Sequence, residues 1–429
     1  MLSTIEKEFR RGRRLVIVEA AVEYFIALCV TTTFLTAILT EMNVSASLQG
    51  IIGAITSLAC SVQLVAVFGV KKTYPCRRWV SILNLVNQLL FAILYCVPSI
   101  KVSGGVKIAV FIGLLTAAYA CQHYLTPSRV NWQMSLLDDN RRGIFTAKKE
   151  IVSLVGGMIF SQTAGILLDH FKAKGDMQTC FILFGITVVV LSLLHLVIML
   201  ATPEPRPETA APTKSFGEIM RAVFGNADLR RVITFDVLFS VANVSLYFST
   251  VYLVQTMGFS YTYITAVSIA HAAFRAIVLP YLGRMADKKS WAYMLRICMT
   301  VLAAGYVVYT VCSLVTALYL YPIFSLCYAF SLGGSNAART NLCLDYVNHE
   351  DRRYILGIKD AIRGIVEFFA TLLASLVVTF VEGKGNQPFG FSVYPQQILF
   401  AISALMMLWL AFDFLPKLKK PARIENYKT

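Results

Sequence analysis

Twelve runs of about twenty or more mostly apolar residues leave this 429-residue chain few folds to choose from. They lie at 15–39, 46–70, 79–98, 106–136, 148–170, 178–201, 232–257, 262–282, 291–313, 316–341, 355–381 and 394–415. In hydrocarbon every backbone N–H and C=O must find a partner inside the protein, so a spanning segment is a helix or a strand of a closed barrel. These runs have the length of helices, and alternating ten-residue barrel strands do not fit them. Composition agrees: 57% of residues are apolar and only 15% charged, with a mean hydropathy of +0.65. The expected class is an all-α integral membrane protein with twelve transmembrane helices.

A net charge of +15 is the sort of value that points to nucleic acid, but its distribution points elsewhere. Of the 39 Lys and Arg, thirty lie at the two termini and around the loops after even-numbered spans. Five (Lys101, Lys107, Lys172, Lys174, Lys384) fall in loops on the other side, and four (Arg129, Arg275, Arg339, Arg363) inside spans. That alternation is the positive-inside pattern and places both termini in the cytoplasm of a cell-membrane protein, with no nucleic-acid partner. The basic segment 1–14 precedes a span too long for a signal-peptide core, so it reads as part of a retained first helix. The ten cysteines have no CxxC spacing and sit mostly in spans, as small apolar packers do. No spacing of His, Cys and acids predicts a metal site, and no cofactor is expected.

The chain also repeats itself. Arg129 and Asn131 are followed by Arg141, Arg142, Ile144 and Lys148; Arg339 and Asn341 are followed by Arg352, Arg353, Ile355 and Lys359, offset by 210 and then 211 positions. Arg13, Arg14 and Glu19 match Arg230, Arg231 and Asp236 at an offset of 217, as Lys71 and Lys72 match Lys288 and Lys289. Matches in this order predict two pseudo-symmetric six-helix bundles, 1–201 and 229–429. Between them, 202–228 opens with Pro203, Pro205, Pro207 and Pro212, a linker composition. Phe216, Ile219, Met220, Val223 and Phe224 then recur at helical spacing, which predicts a short amphipathic helix on the cytoplasmic surface.

Twelve spans, a long central loop and cytoplasmic termini together resemble the major facilitator superfamily of secondary transporters along essentially the whole chain. Gly283, Arg284, Asp287 and Lys288 resemble that family's G-x-x-x-D-[RK] loop, and Asp138, Asp139, Arg141, Arg142 and Gly143 resemble its acidic-Arg-Gly segment. The resemblance implies a cytoplasmic gate in which a loop aspartate caps a neighbouring helix and pairs with arginine; Gly283, Arg284, Asp287, Arg141, Arg142, Arg352 and Arg353 are its candidates. The loop after span two is basic but lacks the aspartate, and span five carries Gly156, Gly157 and Gly165 without the Gly-Pro pair of drug–proton antiporters.

Each ionisable side chain at bilayer depth costs at least ~2.5–3.5 kcal/mol and requires a reason. Glu19 and Glu23, four apart, share one face of span one, and Asp236 is the counterpart of Glu19 on span seven. Arg129 and Arg339 are counterparts on spans four and ten. In the resembling family spans one, four, seven and ten line the central cavity, which implies two acid–base clusters: Glu19, Glu23 and Arg129 in one half, Asp236 and Arg339 in the other. They read either as proton- or substrate-coupling sites or as structural ion pairs, with Glu23 the stronger coupling candidate because its counterpart is Ser240. The same implied lining makes Tyr24, Gln122, His123, Trp132, Asn243, Tyr247, Asn336 and Asn341 candidates for solute contact, a mix of aromatics and amides suited to a sugar or nucleoside. Arg363 has Glu367 one turn on as a same-helix partner.

The resemblance therefore implies a monomeric secondary active transporter that moves a small organic solute through the lipid bilayer by alternating access, coupled to protons or another ion. Uptake is favoured over efflux of drug-like compounds, and a non-transporting receptor stays open. No Walker A sequence provides for ATP, and no GxSxG or HExxH pattern provides for an enzyme.

Overall fold

A computed structural model describes residues 4–69, 75–136, 142–205, 215–347, 351–388, 390 and 392–418. The first six spans are α1 (Thr4–Cys29) with α2 (Thr32–Glu41); α3 (Ala46–Gly53), α4 (Ile55–Ala59) and α5 (Val62–Gly69); then α6 (Arg77–Leu94), α7 (Gly104–Met134), α8 (Arg142–Lys174) and α9 (Met177–Ala201). A short helix, α10 (Phe216–Gly225), follows. The remaining spans are α11 (Ala227–Val241) with α12 (Leu246–Val251) and a π turn at Tyr252–Thr256; α13 (Tyr261–Lys288), α14 (Trp291–Thr310), α15 (Ala317–Leu344), α16 (Arg352–Gly383) and α17 (Pro395–Trp409).

Among the described residues, eleven of these stretches are long and apolar enough to cross a membrane. The twelfth, α6, is 18 residues long and falls short because of its polar side chains. Arg77 and Arg78 occupy its first turn, and Asn84, Asn87 and Gln88 share one face at helical spacing. All three amides are buried, so that polar stripe faces protein.

The chain packs into two compact units. The first holds Met1–Thr213 together with Thr250–Ile269; the second holds Lys214–Ser249 and Ala270–Thr429. In the first unit α6 lies on α7 and α9, and α1 on α8 and α9. Gly156 and Gly157 make the close approach of α8 to α1 possible: a Cβ at Gly156 would sit 2.6 Å from the Phe25 ring, and one at Gly157 would enter the Tyr24 ring. Phe25 stacks on Phe160 beside them, with centroids 5.4 Å apart. The chain after α9 is tied back to α6, where the Glu204 carboxylate accepts the N–H groups of Cys76 and Arg77 at 2.6 and 2.9 Å. A carboxylate there answers the positive end of a helix with unsatisfied N–H groups.

In the second unit α14 packs on α15 and α17, and α11 on α16. Tyr309 stacks on Phe400 at 4.0 Å and meets Phe324 edge-on at 4.8 Å, an aromatic centre of the kind that dominates packing energy. The amphipathic segment forms α10, opened by a reciprocal capping box between Ser215 and Glu218. Ile219 and Val223 are buried, while Phe216 and Phe224 of the same apolar face stay exposed.

Spans one and seven are both broken midway, at Val30–Thr31 and at Ala242–Ser245. A break frees backbone carbonyls, and side chains take them up. Thr31 Oγ1 donates to the Ala27 carbonyl at 2.9 Å and the Tyr95 hydroxyl donates to that of Cys29. In the second unit Asn243 Nδ2 donates to Phe239 at 2.6 Å and the Tyr309 hydroxyl to Ser249 at 3.2 Å.

Candidate functional site

Each unit buries one carboxylate–arginine cluster. In the first, Arg129 of α7 is hydrogen-bonded through Nη2 to Glu23 Oε2 of α1, and its Nε lies 3.8 Å from Glu19 Oε1, one turn earlier on the same helix. Glu19 is 2% exposed and is held on three sides. Gln133 Nε2 donates to both its oxygens, at 2.9 and 2.8 Å, and His195 Nε2 of α9 lies 3.4 Å from Oε1. The other ring nitrogen, Nδ1, faces Gln88 Nε2 at 2.5 Å and Asn84 Nδ2 at 3.2 Å. Asn84 Oδ1 in turn accepts from Arg129 Nη1 at 3.5 Å. A continuous polar chain thus runs from Glu23 through Arg129 and Glu19 to His195 and α6.

In the second unit Asp236 of α11 is 1% exposed and receives two cations. Arg339 Nε of α15 is 2.6 Å from Oδ1, and Lys359 Nζ of α16 is 3.3 Å from Oδ2. Arg339 Nη2 also donates to the Ser240 hydroxyl at 3.0 Å, and its guanidinium lies 4.3 Å from the Phe239 ring centre. Lys359 reaches Asp360 Oδ1 at 3.1 Å, which Arg363 also approaches at 3.5 Å. The pairs expected from the repeat, Glu19 with Arg129 and Asp236 with Arg339, therefore sit together in their own units. Arg363 finds Asp360 one turn before it, and Glu367 accepts the Tyr247 hydroxyl at 2.7 Å.

A cavity of about 210 Å³ opens within the first unit beside Glu23, at the break in span one. Its wall includes Gln122 and His123 of α7, Asn87 and Gln88 of α6, and the rings of Phe91 and Tyr119. His123 is steadied from behind by Gln63 Nε2, 3.0 Å from Nδ1, and by the Cys60 thiol, 3.6 Å from Nε2. Tyr24 points elsewhere, against Gly157 of α8. Trp132 is buried in the packed cluster of Cys76, Val80, Leu125 and Met199, and its indole N–H donates to the Pro203 carbonyl at 2.9 Å. Its ring holds the unit together rather than lining this cavity. In the second unit the Tyr306 hydroxyl donates to Asn243 Oδ1 at 2.6 Å, while Asn341 is half-buried and Asn336 exposed.

Of the gate candidates, Gly283 and Arg284 are exposed at the end of α13, and Arg352 is half-buried at the start of α16. Arg141 lies outside the described residues, as do the side chains of Arg142, Asp287 and Arg353.

Five residues of these clusters, Lys359, Gln133, His195, Asn84 and Gln88, are not among the site candidates read from the sequence, although Lys359 belongs to the repeat. By position Lys359 counts among the basic residues of the cytoplasmic edge, yet it is 3% exposed, its chain drawn into the second unit toward Asp236. The α6 amides do carry a readable signal: three on one face of an otherwise apolar helix.

Comparison with known proteins agrees with this architecture. Residues 20–371 match the sequence model of the Major Facilitator Superfamily. No protein of curated function matches in sequence. Among solved structures, a mutant of the nucleoside transporter NupG is 13% identical with a TM-score of 0.70, over 95% of this chain and 100% of that one. A D-xylose-proton symporter is 14% identical with a TM-score of 0.70, over 96% and 99%. The human organic anion transporter MFSD10 is 12% identical with a TM-score of 0.62, over 95% and 99%. At such identities the likeness is one of fold.

Proposed function

This chain belongs to the Major Facilitator Superfamily, and we propose that it takes up a small polar organic solute across the cytoplasmic membrane in exchange for the free energy of a proton gradient. It is a multi-pass membrane transporter of the secondary class, not an enzyme. In the proposed cycle a single chain works as a monomer with both termini in the cytoplasm, and its halves, 1–201 and 229–429, expose the solute to one side at a time.

The observation that carries the reading is the position of Glu23, which lines the cavity and whose carboxylate pairs with Arg129. Ionised, it holds the guanidinium; protonated, it releases Arg129 toward Glu19, 3.8 Å away. Proton binding and helix position are thereby linked through one arginine. Glu19 is already fixed by Gln133 and His195, and Asp236 by Arg339 and Lys359. In this reading those two carboxylates serve as scaffold and gate, and Glu23 is the group that cycles. Nucleosides and D-xylose, the solutes named for two of the structural neighbours, are polar organic molecules of the proposed kind.

The test is flux into proteoliposomes under an imposed pH gradient. The gradient is expected to accelerate solute entry in the wild type and not in Glu23→Gln. Gradient-driven entry that survives in Glu23→Gln rejects Glu23 as the coupling acid. Resistance to amphipathic drugs, without solute accumulation, rejects uptake.

A further inference from the structure

The apolar face of α10 is wider than the surface it packs on. At about 100° per residue, the positions met in turn around the helix are Ile219, Val223, Phe216, Met220 and Phe224, and then, past Gly217, Arg221. The helix rests on α11 and α16, and Ile219 and Val223 are its buried edge. On the other edge Phe224 is 56% exposed and Phe216 49%, with Met220 half-buried between them.

The joint with span seven fixes where this edge sits. Asn226, in an extended conformation, is the single residue between α10 and α11. Its side-chain oxygen accepts the N–H groups of Asp228 and Leu229, both at 3.1 Å, and so starts α11. The stretch Ala227–Thr256 that begins there is long and apolar enough to cross a membrane. Helices in contact lie about 8–10 Å apart, so the Phe224 end of α10 is held beside the point where span seven enters the bilayer. An exposed phenylalanine edge at that level borders lipid rather than bulk water.

Charge follows the same edge. Arg221 and Arg230 are both exposed. Arg230 Nη1 donates to the carbonyl of Phe224, at the negative end of α10 and about 4.5 Å of helical rise beyond Arg221. Two guanidinium groups therefore flank the last turn beside Phe224. The acids of this region are engaged elsewhere. Glu218 Oε2 accepts the Ser215 N–H at 2.9 Å in the first turn, and Asp228 pairs with Arg231 at 3.6 Å. Among the described residues neither Arg221 nor Arg230 has a carboxylate within ion-pair distance.

We infer that this edge of α10 is a binding surface for an anionic phospholipid of the adjoining leaflet, with Phe224 and Met220 among its glycerol and acyl groups and Arg221 and Arg230 on its phosphate. A planar guanidinium takes a phosphate through two parallel N–H···O bonds. A soluble phosphate offers the same charge without acyl chains, and leaves the apolar edge in water. On the positive-inside reading the leaflet is the cytoplasmic one, whose anionic lipids draw basic segments to the surface. Because Arg230 belongs to α11, a lipid held by both arginines ties α10 to the start of span seven. The surface serves whichever solute is carried.

The experiment uses the purified full chain in two settings. In nanodiscs containing phosphatidylglycerol, benzoylphenylalanine placed at Phe224 is expected to photocrosslink to lipid. The same group at Ala222, nearly opposite on the helix, is expected not to. A crosslink from position 224 into the chain itself means that a protein segment covers this edge, and overturns the proposal. So do the absence of a lipid adduct at 224 and equal lipid labelling at both positions. In detergent, binding of the first added lipid is followed by native mass spectrometry. Phosphatidylglycerol is expected to bind more tightly than phosphatidylcholine. Arg221→Gln is expected to weaken it on the order of fivefold, and Arg221→Lys, which keeps the charge, to weaken it less. Equal affinity for the two lipids, or unchanged affinity in Arg221→Gln, overturns the anionic site. Inorganic phosphate is expected not to displace the lipid, and displacement overturns the choice of a lipid over a soluble anion.

Discussion

The carboxylate of Asp169, near the end of α8, caps the helix that begins at Tyr261: the backbone N–H groups of Tyr261 and Thr262 reach its two oxygens at 2.9 and 2.7 Å. Both partners belong to the first compact unit, although α13 is contributed by the later half of the sequence. The joint is tight around the cap. Thr265 Oγ1 donates to Gln162 Oε1 at 3.3 Å, and a Cβ at Gly165 would stand 2.5 Å from that hydroxyl. Lys172 sits 5.4 Å from the centre of the Tyr261 ring.

An anionic cap on two N–H groups is expected to be worth about 1–2 kcal/mol. Asp169→Asn keeps the shape and loses the charge, so it should lower the melting temperature by a smaller amount than Asp169→Ala. Equal melting of all three proteins would show that the cap contributes nothing. Asp169→Ala is also expected to quicken modification of a cysteine placed at Thr265, one turn after the capped N–H groups.

Asp236 is the single anion shared by Arg339 and Lys359. Asp236→Asn leaves two cations in a desolvated site, where among the described residues Asp360 stands 3.1 Å from Lys359. Removing one partner of a buried pair costs about 3–5 kcal/mol, because the charge left behind is uncompensated. The variant is expected to unfold in milder denaturant by that amount. Adding Lys359→Met to Asp236→Asn should recover a large part of the loss, since it removes one of the orphaned charges. If the double variant is less stable than Asp236→Asn alone, Lys359 is stabilised by something other than Asp236.

How much of this is legible in the sequence follows from what each signal depends on. Span length and the loop-by-loop charge alternation depend only on the bilayer, so all twelve spans can be read from the order of residues alone, and the two-fold repeat with them. The partners of Glu19 and Asp236 on the fourth and tenth spans are readable too, because a repeat places like charges at like positions. The rest depends on which face a helix turns inward. His195 is one more interior histidine by sequence, and it is the packing of α9 that places it 3.4 Å from Glu19. Lys359 has the sequence position of a cytoplasmic-edge lysine, a turn inside α16, and only packing shows that its long side chain runs inward. For Trp132, residue type alone does not separate a solute contact from an indole that fastens Pro203.

The orientation proposed for the chain can be checked at one native side chain. Of the ten cysteines only Cys96 is exposed; seven are buried, and Cys121 and Cys327 are half-buried. Cys96 follows the third span, so three crossings separate it from the N terminus and place it on the opposite face of the membrane. Cys76, at the other end of α6, is a poor competitor for label. Burial, aided by the neighbouring Glu204 carboxylate, pushes its thiol up to about 12. At pH 8 only about one such thiol in ten thousand is the reactive thiolate. A membrane-impermeant maleimide applied to intact cells at that pH is therefore expected to label the protein once, and Cys96→Ser is expected to abolish the label. Labelling that appears only after the membrane is permeabilised would put the N terminus outside. The positive-inside reading of the thirty clustered basic residues would then be wrong, because the same three crossings tie Cys96 to the face opposite that terminus whichever way the chain is inserted.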